Sequence, residues 1–314
     1  METSAPFFRI STAISPVASA VSQGLVWGIM ALGVYVTYRI LDVADLTVDG
    51  SLATGGAVCV MLIRAGVNPW VAILAALVAG GVAGLVTALL HTKCGIPAIL
   101  AGILTQLALY SVNLRVMGGK SNQPVSVDKY NLIVSQRYVR ELKLTNPMIP
   151  ILIILAAIIG ILYWFFGTEK GCSIRATGAN KTMARAQGIN PDNDIILGLV
   201  ISNALVALSG ALIAQYQGSV DVNMGRGAIV IGLAAVIIGE VVFKKIKHNF
   251  AGTLAFVTFG AVIYYIVIQI TLLLGLNTND LKLITAIIVG LFLALPYWKG
   301  RISERRSRKV VKNA

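Results

Sequence analysis

The feature that most constrains this chain is a succession of nine apolar runs, at about 17–38, 47–64, 69–90, 96–116, 148–166, 194–217, 227–243, 249–273 and 281–298. Each is close to the ~20 residues a helix needs to cross a bilayer. Of 314 residues, 57% are hydrophobic and 12% charged, too few polar groups to cover a soluble globule of this length. The expected fold class is all-α: a polytopic membrane protein of about nine transmembrane helices, within a range of 8–10. Residues 1–298 then form one transmembrane domain and 299–314 a basic tail, with no separate soluble domain. The second run is the least regular. Its opening, from Leu46 to Gly56, is polar and glycine-rich, which suits a broken helix shielded by neighbours better than one facing lipid.

Basic residues cluster in three connections. The 167–193 loop carries Lys170, Arg175, Lys181 and Arg185; 244–248 carries Lys244, Lys245 and Lys247; the tail holds seven more from Lys299 to Lys312. Cytoplasmic loops concentrate Lys and Arg, and two runs separate each cluster from the next, so all three fit one side. The C-terminus is therefore expected in the cytoplasm and, counting back, the N-terminus outside. The 117–147 connection falls outside although it holds Lys120, Lys129, Arg137, Arg140 and Lys143, which the rule disfavours. Segments 47–116 and 227–298 each read as a Gly/Ala-rich helix followed by two more, in opposite senses across the membrane, as in inverted repeats; shared composition alone would give the same likeness.

The net charge of +13 does not point to nucleic acid, because the basic residues lie between and after the apolar runs, where lipid and topology account for them. Cys59, Cys94 and Cys172 are scattered and lack CxxC spacing, so neither a disulfide framework nor a metal site is expected. Before Ser15 only Arg9 is basic, which is not the start of a secretory signal; insertion is expected to rely on the first spanning helix.

Within 167–193, Asn180 is a helix-capping residue type, Lys181 to Gln187 are good helix formers, and Gly188 with Pro191 supplies a stop. This spacing predicts a two-turn helix. Met183, Ala184 and Gln187 would share a small, partly apolar face suited to a partner's groove, with Lys181 and Arg185 on a basic edge. A short helix held between two spanning helices converts movement of a docked partner into helix tilt; an ordinary basic cytoplasmic loop would have much the same composition.

Five stretches carry a resemblance. Arg175-Ala-Thr-Gly-Ala-Asn180, Ala184-Arg-Ala-Gln-Gly-Ile-Asn190, Leu208 to Ala214 and Ala228 to Gly239 resemble the permeases of branched-chain amino acid and ribose ABC importers, and Asp45 to Ser51 resembles that family's "D-L-S-V-G" start of a membrane helix with one inserted residue. The likeness is spread over about 20–298, is most specific in 175–239, and is absent between Met117 and Pro147. It looks closest to a branch usually found with one ATPase and one lipoprotein-like binding protein, several associated with aromatic amino acid uptake. The resemblance implies an ABC import permease, moving a small solute, an amino acid favoured, across the cell (inner) membrane. It implies ATPase coupling by Asn180, Lys181, Met183, Ala184, Arg185, Gln187, Gly188 and Ile189. Two ATPase subunits, an extracytoplasmic solute-binding protein and a second copy of the permease are the implied partners. The chain has no GxxxxGK[ST] motif, so no cofactor is expected in it; ATP and Mg would be bound by the partner ATPase.

Polar residues inside the runs are costly in lipid and usually face protein or a pathway. Asp45, Asp49, Gln106, Asn203, Gln215 and Gln217 are the candidates for a translocation path. Asp45 and Asp49 equally suit capping of freed amides, and Asn203 equally suits helix packing. Glu240, with Lys244 four residues on, suits a local ion pair. A secondary carrier of small metabolites is the alternative function; it calls for a mid-membrane ionisable residue, whereas the acidic residues here lie near helix ends. A membrane-embedded enzyme would need clustered His, Asp or Cys, which the sequence lacks.

Overall fold

Helix formation follows the apolar runs closely. The computed structural model describes residues 6–126, 128–130, 132–136, 148–243 and 249–273, with isolated helical positions at 283, 286–287, 290–291 and 294; side chains are described from Val17 on. Ten α-helices occur among the described residues: α1 Pro6–Tyr35, α2 Thr47–Arg64, α3 Pro69–Thr92, α4 Ala98–Val116, α5 Met148–Gly167, α6 Glu169–Ala179, α7 Lys181–Ala186, α8 Pro191–Gln217, α9 Ala228–Phe243 and α10 Phe250–Leu273. Six of the described segments are long and apolar enough to cross a membrane, namely α1 with the turn after it, α3, α4, α5, α8 and α10. The chain is a multi-pass, mostly helical membrane protein. Most of the ninth run, the 244–248 lysines, His248, Tyr297, Trp298, the tail and Arg137, Arg140 and Lys143 lie outside the described residues.

Three features depart from the sequence reading. α1 continues into a π-helical turn at Val36–Ile40. α2 is unbroken from Thr47 to Arg64 and almost wholly buried; the irregular backbone lies ahead of it, at 41–46, where Asp42 takes a positive φ of 53°. The architecture is also not purely helical, since β1 (Asn122–Pro124) pairs antiparallel with β2 (Ser219–Asp221), Gln123 opposite Val220. This ribbon ties the α4–α5 connection to the α8–α9 connection.

α8 is the central post. It packs most extensively against α3 and α2, whereas α9 and α10 pack against α1 and each other. The helix pair that follows α1 thus covers α8, and the pair that follows α8 covers α1. Missing side chains allow the closest approaches. A Cβ added at Gly80 on α3 would stand 2.2 Å from the Ala207 Cβ and 2.4 Å from the Asn203 carbonyl oxygen; one at Gly55 on α2 would stand 2.0 Å from the Ala207 carbonyl oxygen. Small residues let membrane helices meet backbone to backbone, where packing and hydrogen bonds replace the missing hydrophobic drive. α8 also stitches itself to α1: the Ser202 hydroxyl donates to the Gly33 carbonyl at 2.7 Å, and Ser209 to Val26 at 2.8 Å.

These pairings fix the helix directions. α1 runs antiparallel to α8, with Ser19 beside Tyr216 (Oγ to Oη 3.1 Å) at the end that holds the β-ribbon. α2 runs parallel to α8, Ser51 meeting Asn203 and Cys59 meeting Gln215. The start of α1 therefore lies at the opposite end from α6 and α7. On the outer surface, Leu74, Val78 and Val82 of α3 and Ile153, Ile161 and Trp164 of α5 are more than half exposed, an apolar surface suited to a bilayer.

Candidate functional site

Two constellations are placed by this framework, one at the α6–α7 end and one half-way along α8. At the first, Asn180 caps α7 with its side-chain oxygen, accepting from the amides of Thr182 and Met183 at 3.0 Å each. Gly188 then ends the segment at φ 81°, a left-handed conformation that favours glycine. Lys181, Met183, Arg185, Gln187 and Gly188 are exposed and Ile189 is half-buried. Ala184 departs from expectation: it is 3% exposed. The face Met183, Ala184 and Gln187 is therefore divided: Ala184 is buried, and α7 packs on α6 and α8. Arg185 reaches Asp192 only at 3.9 Å, in solvent.

α6 was not legible in the sequence, where 167–193 read as a loop with a single short helix. Thr168 caps it, its hydroxyl accepting from the Gly171 amide at 3.4 Å, and Glu169 sits favourably in its first turn. α6 is fastened on three sides. Ser173 and Thr177 both donate to Oδ2 of Asp194 on α8, at 2.6 and 2.7 Å. Arg175 lies 4.8 Å from the ring centre of Phe250 at the start of α10 and donates to the Phe166 carbonyl. Gly178 abuts the backbone of Ile40, the end of the α1 turn; a Cβ there would overlap the Ile40 carbonyl oxygen at 1.7 Å. α6 thus touches α8, α10 and the turn that follows α1 directly. Beside it, Glu240 pairs at 2.8 Å with Arg39, on the turn that follows α1; Lys244, one turn on from Glu240, lies outside the described residues.

The second constellation starts from Asn203, near the middle of the 27-residue α8. Its Nδ2 donates to Asp45 Oδ2 at 2.7 Å and to the Leu199 carbonyl at 3.0 Å, while its Oδ1 accepts from Ser51 at 2.6 Å. Asp45 in turn accepts from the Thr47 amide at 2.9 Å and so caps α2. Asp49, one turn on, caps a different helix: its two oxygens accept from the amides of Gly227 and Ile229, at 2.9 and 3.0 Å, at the start of α9. Helix starts are poor in partners for their amides, and in a membrane these must come from protein. Both carboxylates meet that need, half-way along α8, where the chain re-enters after each long helix.

Beside Asp49 opens a cavity of about 350 Å³ between the first turn of α2, the face of α4 bearing Gln106, Tyr110 and Asn113, and the 222–226 segment with Asn223 and Arg226. This is within the usual size of small-molecule sites. Of the six path candidates, Asp49 and Gln106 line it. Asp45, Asn203 and Gln215 do not: each is buried with polar atoms bonded inside the protein, Gln215 to the Ile133 amide and Cys59. Gln217 is exposed at the ribbon end of α8. Arg226 was missed. Its sequence signal is slight, a single arginine between Gly225 and Gly227 in a short connection. Among the described residues, no group of three or more His, Cys, Asp or Glu side chains is placed to hold a metal ion.

The family described as "Branched-chain amino acid transport system / permease component" matches residues 17–295. A tyrosine transport system permease protein of Clostridioides difficile is 41% identical over 284 residues, 90% of this chain and 91% of that one. An uncharacterized protein of Rickettsia prowazekii is 36% identical over 88% of this chain and 95% of its own length. The ribose import permease protein RbsC of Escherichia coli is 27% identical over 88% of this chain and 84% of its own length.

Proposed function

The chain belongs to the permease-component family of branched-chain amino acid transport systems, and from that membership we propose that it imports an amino acid, with tyrosine the first substrate to test. As a member it is a non-catalytic transmembrane subunit of an ABC transporter. The reading beyond membership is that substrate arrives from an extracytoplasmic binding protein at the β-ribbon end, and that two ATPase subunits, which bind ATP and Mg, dock at the α6–α7 end. That end is then cytoplasmic, as is the C-terminus. Two copies of the chain enclose the path. Nine spanning helices, built as inverted repeats of 47–116 and 227–298, belong to the same reading; the exchange of helix pairs between α1 and α8 supports it.

The observation that carries the coupling role is the three-sided attachment of α6. A helix that only satisfied a loop would not need contacts with α8, α10 and the turn after α1 at once. Closure of the ATPases would push α7, and the Asp194 clamp would pass that displacement to α8. α8 carries the hub at Asn203 and, through it, Asp45 and the start of α2, so access at the mid-membrane cavity changes with motor state.

The test is reconstitution of the chain in proteoliposomes with its ATPase and binding protein. ATP-dependent tyrosine accumulation is expected. Accumulation that persists without any nucleotide-binding partner would refute the reading.

A further inference from the structure

On the reading that the chain imports an amino acid, we propose that the cavity between α2, α4 and the 222–226 segment is its binding site. Arg226 takes the substrate's carboxylate, and Asn113 hydrogen-bonds a hydroxyl at the far end of its side chain. The substrate class that follows is a hydroxylated aromatic amino acid, tyrosine in preference to phenylalanine.

Arg226 is the first support. Gly227, its neighbour, is bonded to Asp49, and Gly225 abuts the Asp49 backbone, so Arg226 lies half-way along α8 and not at a helix end. It is exposed and makes no ion pair among the described residues. An ionised arginine at that depth is tolerated only where it faces a water-filled cavity or a partner, and Arg226 lines one. The amides at the start of α9 are already occupied by Asp49. Arg226 is therefore the anion-binding group of this wall, and its planar fork matches a carboxylate in two parallel bonds. Asp49 on the same wall offers the opposite charge, which suits the ammonium of a zwitterion.

Asn113 is the second, independent support. It lines the cavity, is 1% exposed, and neither its Oδ1 nor its Nδ2 has a hydrogen-bond partner among the described residues. Buried amides that bond nothing are rare and destabilising. A ligand that satisfies both atoms must accept and donate: a hydroxyl does so, whereas an ammonium only donates and a carboxylate only accepts. Oδ1 of Asn223, on the opposite wall, is likewise without a partner among the described residues.

Spacing joins the two ends. Gln106 lies against Gly50, where a Cβ would stand 3.2 Å from the Gln106 Cα, and so marks the level of Asp49 and Arg226. Asn113 is seven residues further along α4, about 10 Å at 1.5 Å per residue. Leu107 and the Tyr110 ring line the wall between them, an apolar length bounded by charge at one end and an amide at the other.

Uptake of labelled tyrosine and phenylalanine into proteoliposomes, with the same ATPase and binding protein in every arm, tests this; a change between variants then belongs to the permease. Arg226→Gln is expected to lower tyrosine uptake by roughly 10- to 100-fold, with partial recovery in Arg226→Lys, as loss of a charged hydrogen-bond partner predicts. Asn113→Leu is expected to bring the tyrosine to phenylalanine ratio near one while raising thermal stability, because it removes an unpaired buried amide. A merely structural Asn113 would lose stability and keep the ratio. Tyrosine uptake by Arg226→Gln within twofold of wild type, or an unchanged ratio in Asn113→Leu, overturns the proposal and leaves the proposed function standing. Wild type that accumulates no amino acid removes the function itself.

Discussion

Replacing Asp194 with alanine removes the clamp that joins α6 to α8. Its Oδ2 accepts two hydroxyls, Ser173 at 2.6 Å and Thr177 at 2.7 Å. Asp194 is 5% exposed and Thr177 fully buried, so the alanine variant strands the Thr177 hydroxyl as well as losing the carboxylate. A hydrogen bond to a charged group contributes about 1.5–3 kcal/mol. Two bonds to one oxygen are not additive, so the attachment weakens by about 2–4 kcal/mol, or roughly 30- to 700-fold in the equilibrium between seated and unseated α6 at ~1.4 kcal/mol per tenfold. The Arg175–Phe250 contact and the Gly178–Ile40 approach persist, so the helix is loosened and not released. The assay is substrate moved per ATP hydrolysed, in nanodisc and proteoliposome preparations of the complex. Hydrolysis is expected to continue while transport per ATP falls at least tenfold. Asp194→Asn keeps an acceptor oxygen without the charge and should fall between. If Asp194→Ala transports as much substrate per ATP as wild type, with the ATPase still bound, force does not pass through this clamp.

Gly80→Val should lower the melting temperature in detergent by several degrees, since its Cβ meets α8 backbone and overpacking costs about 1–3 kcal/mol or more. Gly81→Val, whose Cβ would meet Val200 Cγ1 at an ordinary 3.6 Å, should change it little. Arg39→Gln should cost less than about 1 kcal/mol, because the Arg39–Glu240 pair is half open to solvent at 59% and 34% side-chain exposure; the double reversal Arg39→Glu with Glu240→Arg should restore the loss in chemical unfolding. Met183→Glu, at a side chain 60% exposed, should reduce copurification with the ATPase about tenfold without unfolding the chain, while Ala184→Trp should lower the melting temperature itself, because that position is filled by α6 and α8.

Hydropathy made the spanning helices legible because the bilayer imposes one length and one composition on each. α2 begins and ends at the expected residues, and α9 and α10 begin within one residue of expectation. What hydropathy does not encode is pairing between distant segments. α6 escaped notice because it is polar on most of its surface and holds two glycines; its stability comes from Asp194 and Phe250, outside its own sequence. The inward side of Ala184 is not legible because a two-turn helix has no periodicity long enough to show which side is inside. Asp49 and Asn203 were legible as costly polar residues, but their roles depend on Gly227 and Asp45, more than 150 positions away. Asn113 is one polar residue in an apolar run; its want of a partner among the described residues is a property of the packed structure.

The cap on α9 has a consequence for how the protein is made. The residue before α9 is Gly227, which has no side chain to offer, and the amides there are held by a carboxylate emerging 178 residues earlier in synthesis. During translation α2 is in the membrane long before its client exists, so Asp49 must wait unpaired or in water until the second half arrives. The first half therefore serves as a template on which the second is completed. A C-terminal half expressed alone lacks the group that starts its α9, whereas two halves expressed as separate chains retain every bond needed to find each other.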